Sequence, residues 1–293
     1  MEPKTILIAL LVVIAIAYHA FWYLTERRRA HPDSSLKPKG AALGAAFVAN
    51  FFDTLGIGSY ATTTSMSKLW KLMPDEKIPG TLNVGYVLAT VVQAVIFMTI
   101  IEVDFTTLVC IIGAAVAGAF LGAGIVSDFS RRQVQVGMGT ALLVASALMV
   151  LSMSGRGPAP GVALGLTGAK LGIAIVISFV LGSLMMLGIG FYGPCLIMIS
   201  LLGMDPRVSY PIMMGACAFL MPSGSIQFIR KRSYDLRTAI AFLIAGPLAV
   251  LIAAPLVDTI PLFYLRILVL VVVLYTAVRM LLSASQERAQ TKA

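Results

Sequence analysis

Long apolar runs separated by short polar loops organise this chain. Several approach or exceed the roughly 20 residues that a membrane-crossing helix needs, so the pattern predicts helices rather than strands. Unbroken runs fall at 5–24, 81–101, 106–126, 134–153, 208–229, 238–256 and 262–282. Two others are interrupted by glycines. The run from 40 to 52 leads through Asp53 into a break and resumes over 59–72. The run from 171 breaks between Gly188 and Gly193 and resumes to Leu202.

The two interruptions carry the same short motif. Leu55-Gly56-Ile57-Gly58-Ser59-Tyr60 returns as Leu187-Gly188-Ile189-Gly190-Phe191-Tyr192, and the same offset pairs Met66 with Met198 and Leu69 with Leu201. Unpaired backbone groups are costly in lipid, so such breaks must face protein or a polar cavity. Matching breaks in matching halves are the sequence-level pointer to a transporter's binding site. The pattern divides the chain into an N-terminal helix and loop (1–39), a first repeat (40–153), a connector (154–170), a second repeat (171–282) and a polar tail (283–293).

Composition strengthens the membrane reading. The 293 residues are 59% hydrophobic and only 12% charged, against about 25% charged in soluble domains. The net charge of +9 sits in short loops, the ordinary topological bias, and does not point to nucleic acid. Cys110, Cys195 and Cys217 lie in apolar runs, and His19 and His31 form no cluster, so neither a disulfide framework nor a metal or other cofactor is expected. The first run passes through Phe21-Trp22-Tyr23 into Arg27-Arg28-Arg29 with no small-residue cleavage site. It is expected to be a retained helix whose C-terminal end is cytoplasmic.

Charge also bears on topology. As one helix, the broken segment at 172–202 would be about 46 Å long, more than a hydrocarbon core of about 30 Å. It either crosses strongly tilted or returns as a re-entrant hairpin. If both broken segments return to their own side, most of the 22 Lys and Arg fall on one face, leaving Lys4, Arg156, Lys170, Arg207 and Arg266 elsewhere. That asymmetry favours hairpins. The loop at 102–104 is acidic where its counterpart at 230–237 is basic, and the next pair of loops reverses, as inverted repeats would require. The expected fold is thus an all-α polytopic membrane protein of two inverted repeats, each a re-entrant hairpin plus three transmembrane helices, preceded by one extra N-terminal helix. The N-terminus would be outside and the C-terminus cytoplasmic.

The glycine-rich breaks, Gly193-Pro194 and the spacing to Met204-Asp205-Pro206 resemble the TauE/SafE sulfite exporter family over about 40–282. That resemblance implies a cell-membrane permease with a duplicated half that exports sulfite, organosulfonates or related small anions.

Helix N-termini offer unpaired N–H groups and partial positive charge, so two restarts facing one cavity can hold an anion without Lys or Arg. Candidate substrate residues are Gly56, Gly58, Ser59, Tyr60, Thr62, Thr63, Gly188, Gly190, Tyr192 and Gly193; alternatively, these hydroxyls only satisfy the broken backbone. Asp53 is the one acidic residue deep in an apolar run, with Asn50 one turn before it. The pair is the candidate proton carrier, or else a hydrogen-bonded brace for the hairpin. Asn83, Gln93, Ser223, Ser225 and Gln227 read as helix-to-helix hydrogen bonding, and Gly118 with Gly122 as close-packing positions. An intramembrane protease would need a Ser–His pair or paired aspartates, which the runs lack. An anion channel, or a permease for another small organic anion, is the alternative; a homo-oligomer is compatible with either.

Overall fold

The computed structural model describes residues 3–29, 37–56, 58–122, 161–186 and 190–257, with scattered positions between 136 and 154 and between 264 and 285. The described chain is helical, with a single isolated bridge between Ala163 and Met204. Helix α1 spans Pro3–Arg27, α2 Gly40–Thr54, α3 Ser59–Trp70, α4 Ile78–Gly85 and α5 Val87–Ile100. Then α6 covers Phe105–Ala117, α7 Gly168–Met185, α8 Tyr192–Leu201, α9 Ser209–Lys231 and α10 Leu236–Val257. The runs expected at 134–153 and 262–282, Gly188, the tail and positions 155–160 of the connector lie largely or wholly outside the described residues.

Among the described residues, four helical segments are long and apolar enough to cross a membrane: Pro3–Arg27, Gly168–Met185, Pro206–Lys231 and Leu236–Val257. A fifth is counted if the pair Ile78–Gly85 and Val87–Ile100, bent by 47°, is one span. That bend departs from the straight span expected at 81–101. Its cause lies at Tyr86, whose ring stacks on Phe242 at 4.4 Å and 12° while its hydroxyl pairs with Thr63 Oγ1 at 2.8 Å. Gly85 is pressed onto α10, where an added Cβ would come within 3.0 Å of Ala239 Cα. Both segments pack against α9 and α10, and past the bend α5 lies more against α9.

Close approach elsewhere rests on small residues, as expected where lipid supplies no hydrophobic drive between helices. A Cβ on Gly118 would lie 1.9 Å from the Phe179 carbonyl oxygen, and one on Gly182 would lie 2.1 Å from that of Ala115. Helices α6 and α7 thus cross backbone to backbone, and Ser183 Oγ donates to Gly118 O at 2.8 Å across the crossing. The groove of about 580 Å³ beside it is lined by residues such as Val109, Gly113, Val176 and Phe179, which offer an anion nothing.

Each broken segment is closed by a lysine at its start. Lys39 Nζ, just before α2, donates to Leu72 O just after α3, at 2.9 Å. Lys170 Nζ, in the first turn of α7, donates to Leu202 O just after α8, also at 2.9 Å. The first pair of ends sits where α1 finishes: Arg29 Nη2 donates to Ile229 O at 2.7 Å, and Arg237 Nε to Lys37 O at 3.3 Å. The second sits where α1 begins: Lys4 Nζ donates to Ile101 O at 3.1 Å, and the strip 163–166 bonds Asp104 and Asp205 through their N–H groups. Asp104 caps α6 there by accepting from Thr107 N and Thr107 Oγ1, both at 2.7 Å. These bonds hold its carboxyl below the usual carboxylate range.

Candidate functional site

The first break is built by two glycines and two caps. Gly56 has φ +96° and Gly58 φ +81°, conformations that side chains rarely adopt. The two glycines stand between α2, which ends at Thr54, and α3, which starts at Ser59. The Tyr210 hydroxyl, on α9, donates to the freed Leu55 carbonyl at 3.1 Å, and a Cβ on Gly56 would lie 3.1 Å from that same oxygen. Asp53 Oδ1 accepts the N–H of Ser59, the first residue of α3. The chain's own carboxylate thus sits where unpaired amides and the helix dipole favour a negative charge.

The second break lies between α7, which ends at Met185, and α8, which starts at Tyr192. It is shorter at its far end than the expected interruption, because Tyr192 and Gly193 already form the first turn of α8. Cys195 N accordingly donates to Phe191 O at 3.1 Å.

The two breaks meet. A Cβ on Gly58 would lie 3.8 Å from that of Tyr192, and one on Gly190 would lie 3.8 Å from that of Tyr60. These four residues are partners under the sequence repeat, and the contacts are reciprocal: each glycine faces the other half's tyrosine. Such exchange of roles is the mark of a local two-fold relation. Two of the buried polar atoms here have no hydrogen-bond partner, the Tyr60 hydroxyl and Asn50 Oδ1, and buried orphans of this kind are uncommon.

Other expected site residues are otherwise engaged. Thr63 Oγ1 pairs with the Tyr86 hydroxyl, and Thr62 Oγ1 donates back to Gly58 O at 3.4 Å within its own helix. Asn50 Nδ2 donates to Ala46 O at 2.9 Å. The structure adds residues that the sequence pattern did not select. Gln93 Nε2 donates to Asp53 Oδ2 at 2.9 Å and to Thr54 Oγ1 at 3.0 Å, while its Oε1 accepts from the Tyr192 hydroxyl at 3.0 Å. Gln93 therefore ties the carboxylate of the first half to the break of the second. Its only signal in the sequence is a polar side chain in an apolar run, which mere helix pairing would explain equally well. Tyr86 and Tyr210 give no stronger sign, since buried tyrosines are ordinary core residues that need one partner.

Neither a curated protein nor a solved structure matches the chain. A family model does, that of the sulfite exporter TauE/SafE, over residues 2–149. The match begins ahead of α1, so this helix, expected to be an extra element outside the family resemblance, falls within it. With just over half of the 293 residues matched, and with apolar helices long enough to span a bilayer, the chain belongs to the TauE/SafE family of membrane transport permeases.

Proposed function

We propose that the protein is a secondary transporter, working as an exporter, for a small sulfur-containing anion such as sulfite or an organosulfonate. The anion is held between the two breaks by the N-terminal turns of α3 and α8, with Ser59, Tyr60 and Tyr192 as the principal donors. The observation that carries this reading is the reciprocal contact of Gly58 with Tyr192 and Gly190 with Tyr60, beside the unpartnered Tyr60 hydroxyl. Two amide-rich helix starts at one buried point suit an oxyanion that no Lys or Arg is needed to neutralise.

The broken segments act as re-entrant hairpins entering from opposite faces, each closed by its lysine. At 15 and 12 residues, α2 and α3 are about 22 and 18 Å long, enough to reach the middle of a core of about 30 Å and too short to cross it. The hairpins belong to two inverted repeats, and alternating access follows from rocking one against the other. Arg27, Arg28, Arg29, Lys37, Lys39, Lys71 and the cluster Arg230-Lys231-Arg232 gather where α1 ends. That end is therefore cytoplasmic and the N-terminus external. Asp53, braced against Ser59 and Gln93, serves as the proton-carrying group.

Counterflow in proteoliposomes tests the reading. Sulfite or an organosulfonate loaded inside should stimulate uptake of the labelled anion from outside. A flux that ignores the opposite side would mean a channel, and no flux of any small anion would overturn the proposal.

A further inference from the structure

Hydrogen-bond polarity around Gln93 is fixed from both sides. Thr54 Oγ1 donates to Asn50 O at 2.8 Å, so it meets Gln93 as an acceptor. Asp53 Oδ1 receives the Ser59 N–H and Oδ2 the Gln93 Nε2–H, two groups that only donate, and the Ser59 and Tyr192 hydroxyls also lie within reach of the carboxyl. With the Asp53 carboxyl ionised and the Tyr192 O–H given to Gln93 Oε1, every one of these donors meets an acceptor.

A proton placed on Asp53 Oδ2 would set an O–H against an N–H. The two ends of an amide are close in shape and opposite in polarity, so half a turn of the Gln93 amide restores the pairings with Asp53 and Tyr192. Oε1 then accepts from the Asp53 O–H and, once the Thr54 hydroxyl turns its proton away from Asn50 O, from Thr54, while Nε2 donates to the Tyr192 oxygen. The Tyr192 hydroxyl proton loses its Gln93 acceptor, and with the carboxyl beside it neutralised it turns to an oxyanion. Protonation on α2 thereby creates a donor on α8, in the other half.

We propose that Gln93 is the positioning residue that couples one proton on Asp53 to one oxyanion between the breaks, by turning its amide and releasing the Tyr192 O–H to the substrate. The inference rests on the anion site proposed above. The titratable groups facing Asp53 are Tyr60 on α3, Tyr86 at the α4–α5 bend, Tyr192 on α8 and Cys217 on α9. Among the described residues no Lys, Arg or His pairs with it, and the neutralising species in this proposal is a proton.

The test is titration calorimetry of the full-length protein with methanesulfonate, whose charge does not vary over the working range, and with sulfite. Each is run in two buffers of different ionisation enthalpy to count protons bound. Wild type should take up about one proton per anion by linkage. Asp53→Asn should take up none, and neither should Gln93→Leu or Gln93→Met, whichever elutes as a folded protein. Tyr192→Phe, which lacks the hydroxyl that reads the amide, should bind more weakly with the proton decoupled. No uptake by wild type, or undiminished uptake by a Gln93 variant, overturns the coupling and leaves the anion site standing. If neither anion binds wild type, the anion reading itself falls and this inference with it.

Discussion

Tyr192 stands to Gly58 as Tyr60 stands to Gly190: in each pair the glycine's missing Cβ would lie 3.8 Å from the tyrosine's. At that distance an added methyl makes ordinary contact, so space alone does not require glycine at either position. Backbone conformation distinguishes them, because Gly58 has positive φ and Gly190 does not. Gly58→Ala should cost about 1–3 kcal/mol in strain, whereas Gly190→Ala should be nearly neutral. Thermal unfolding in detergent measures both; equal losses would contradict the asymmetry.

Asp53→Ala and Asp53→Asn should separate bracing from charge. Asparagine keeps an oxygen for the Ser59 N–H, while alanine removes the cap and strands the Gln93 donor in the interior. Alanine should therefore destabilise by roughly 1–3 kcal/mol more than asparagine. The same melting experiment reads the difference, and parity between the variants would mean that the cap contributes nothing.

The resemblance between the two halves was legible in sequence because a glycine pair inside an apolar run has few other uses. The start of α3 at Ser59 followed directly from it. The bend at Tyr86 was not legible, because its cause is a ring stacked on Phe242, more than 150 positions away. Site chemistry was legible only in part. Asp53 stood out by its charge, but nothing in the local pattern could show that Ser59 and Gln93 hold its two oxygens. The threonines illustrate the converse: the sequence left open whether Thr62 and Thr63 face substrate or only satisfy the broken backbone, and their hydroxyls pair with Gly58 O and Tyr86.

The lysine closures predict local effects. Lys39→Met removes the bond to Leu72 O and should speed amide hydrogen exchange at the end of α3, leaving α8 unchanged. Lys170→Met should do the reverse at Leu202. Each bond is worth about 0.5–1.5 kcal/mol, a several-fold change in exchange rate. Simultaneous loosening of both segments by either variant would show that they do not open independently.

Asp104 should give the protein an acid-side dependence. Its carboxyl is lowered by the Thr107 hydroxyl and N–H bonds, so the folded form binds this proton less readily than the unfolded form. The stabilisation is present above the unperturbed value of about pH 4 and disappears as pH falls through the lower folded value. Asp104→Asn should lower the melting temperature at neutral pH and flatten its decline in acid. A variant with the wild-type acid slope would exclude Asp104 as a source.

The carboxylate that caps α3 has one more bearing on how such a machine cycles. A vacant binding point lined by bare amides would be reluctant to swing through the bilayer without cargo, forcing strict one-for-one swapping. Here the resting protein supplies its own negative group to the first half, so the unloaded form is already content. A transporter of the proposed kind could then reset alone, and net export of its anion down to low internal levels becomes attainable.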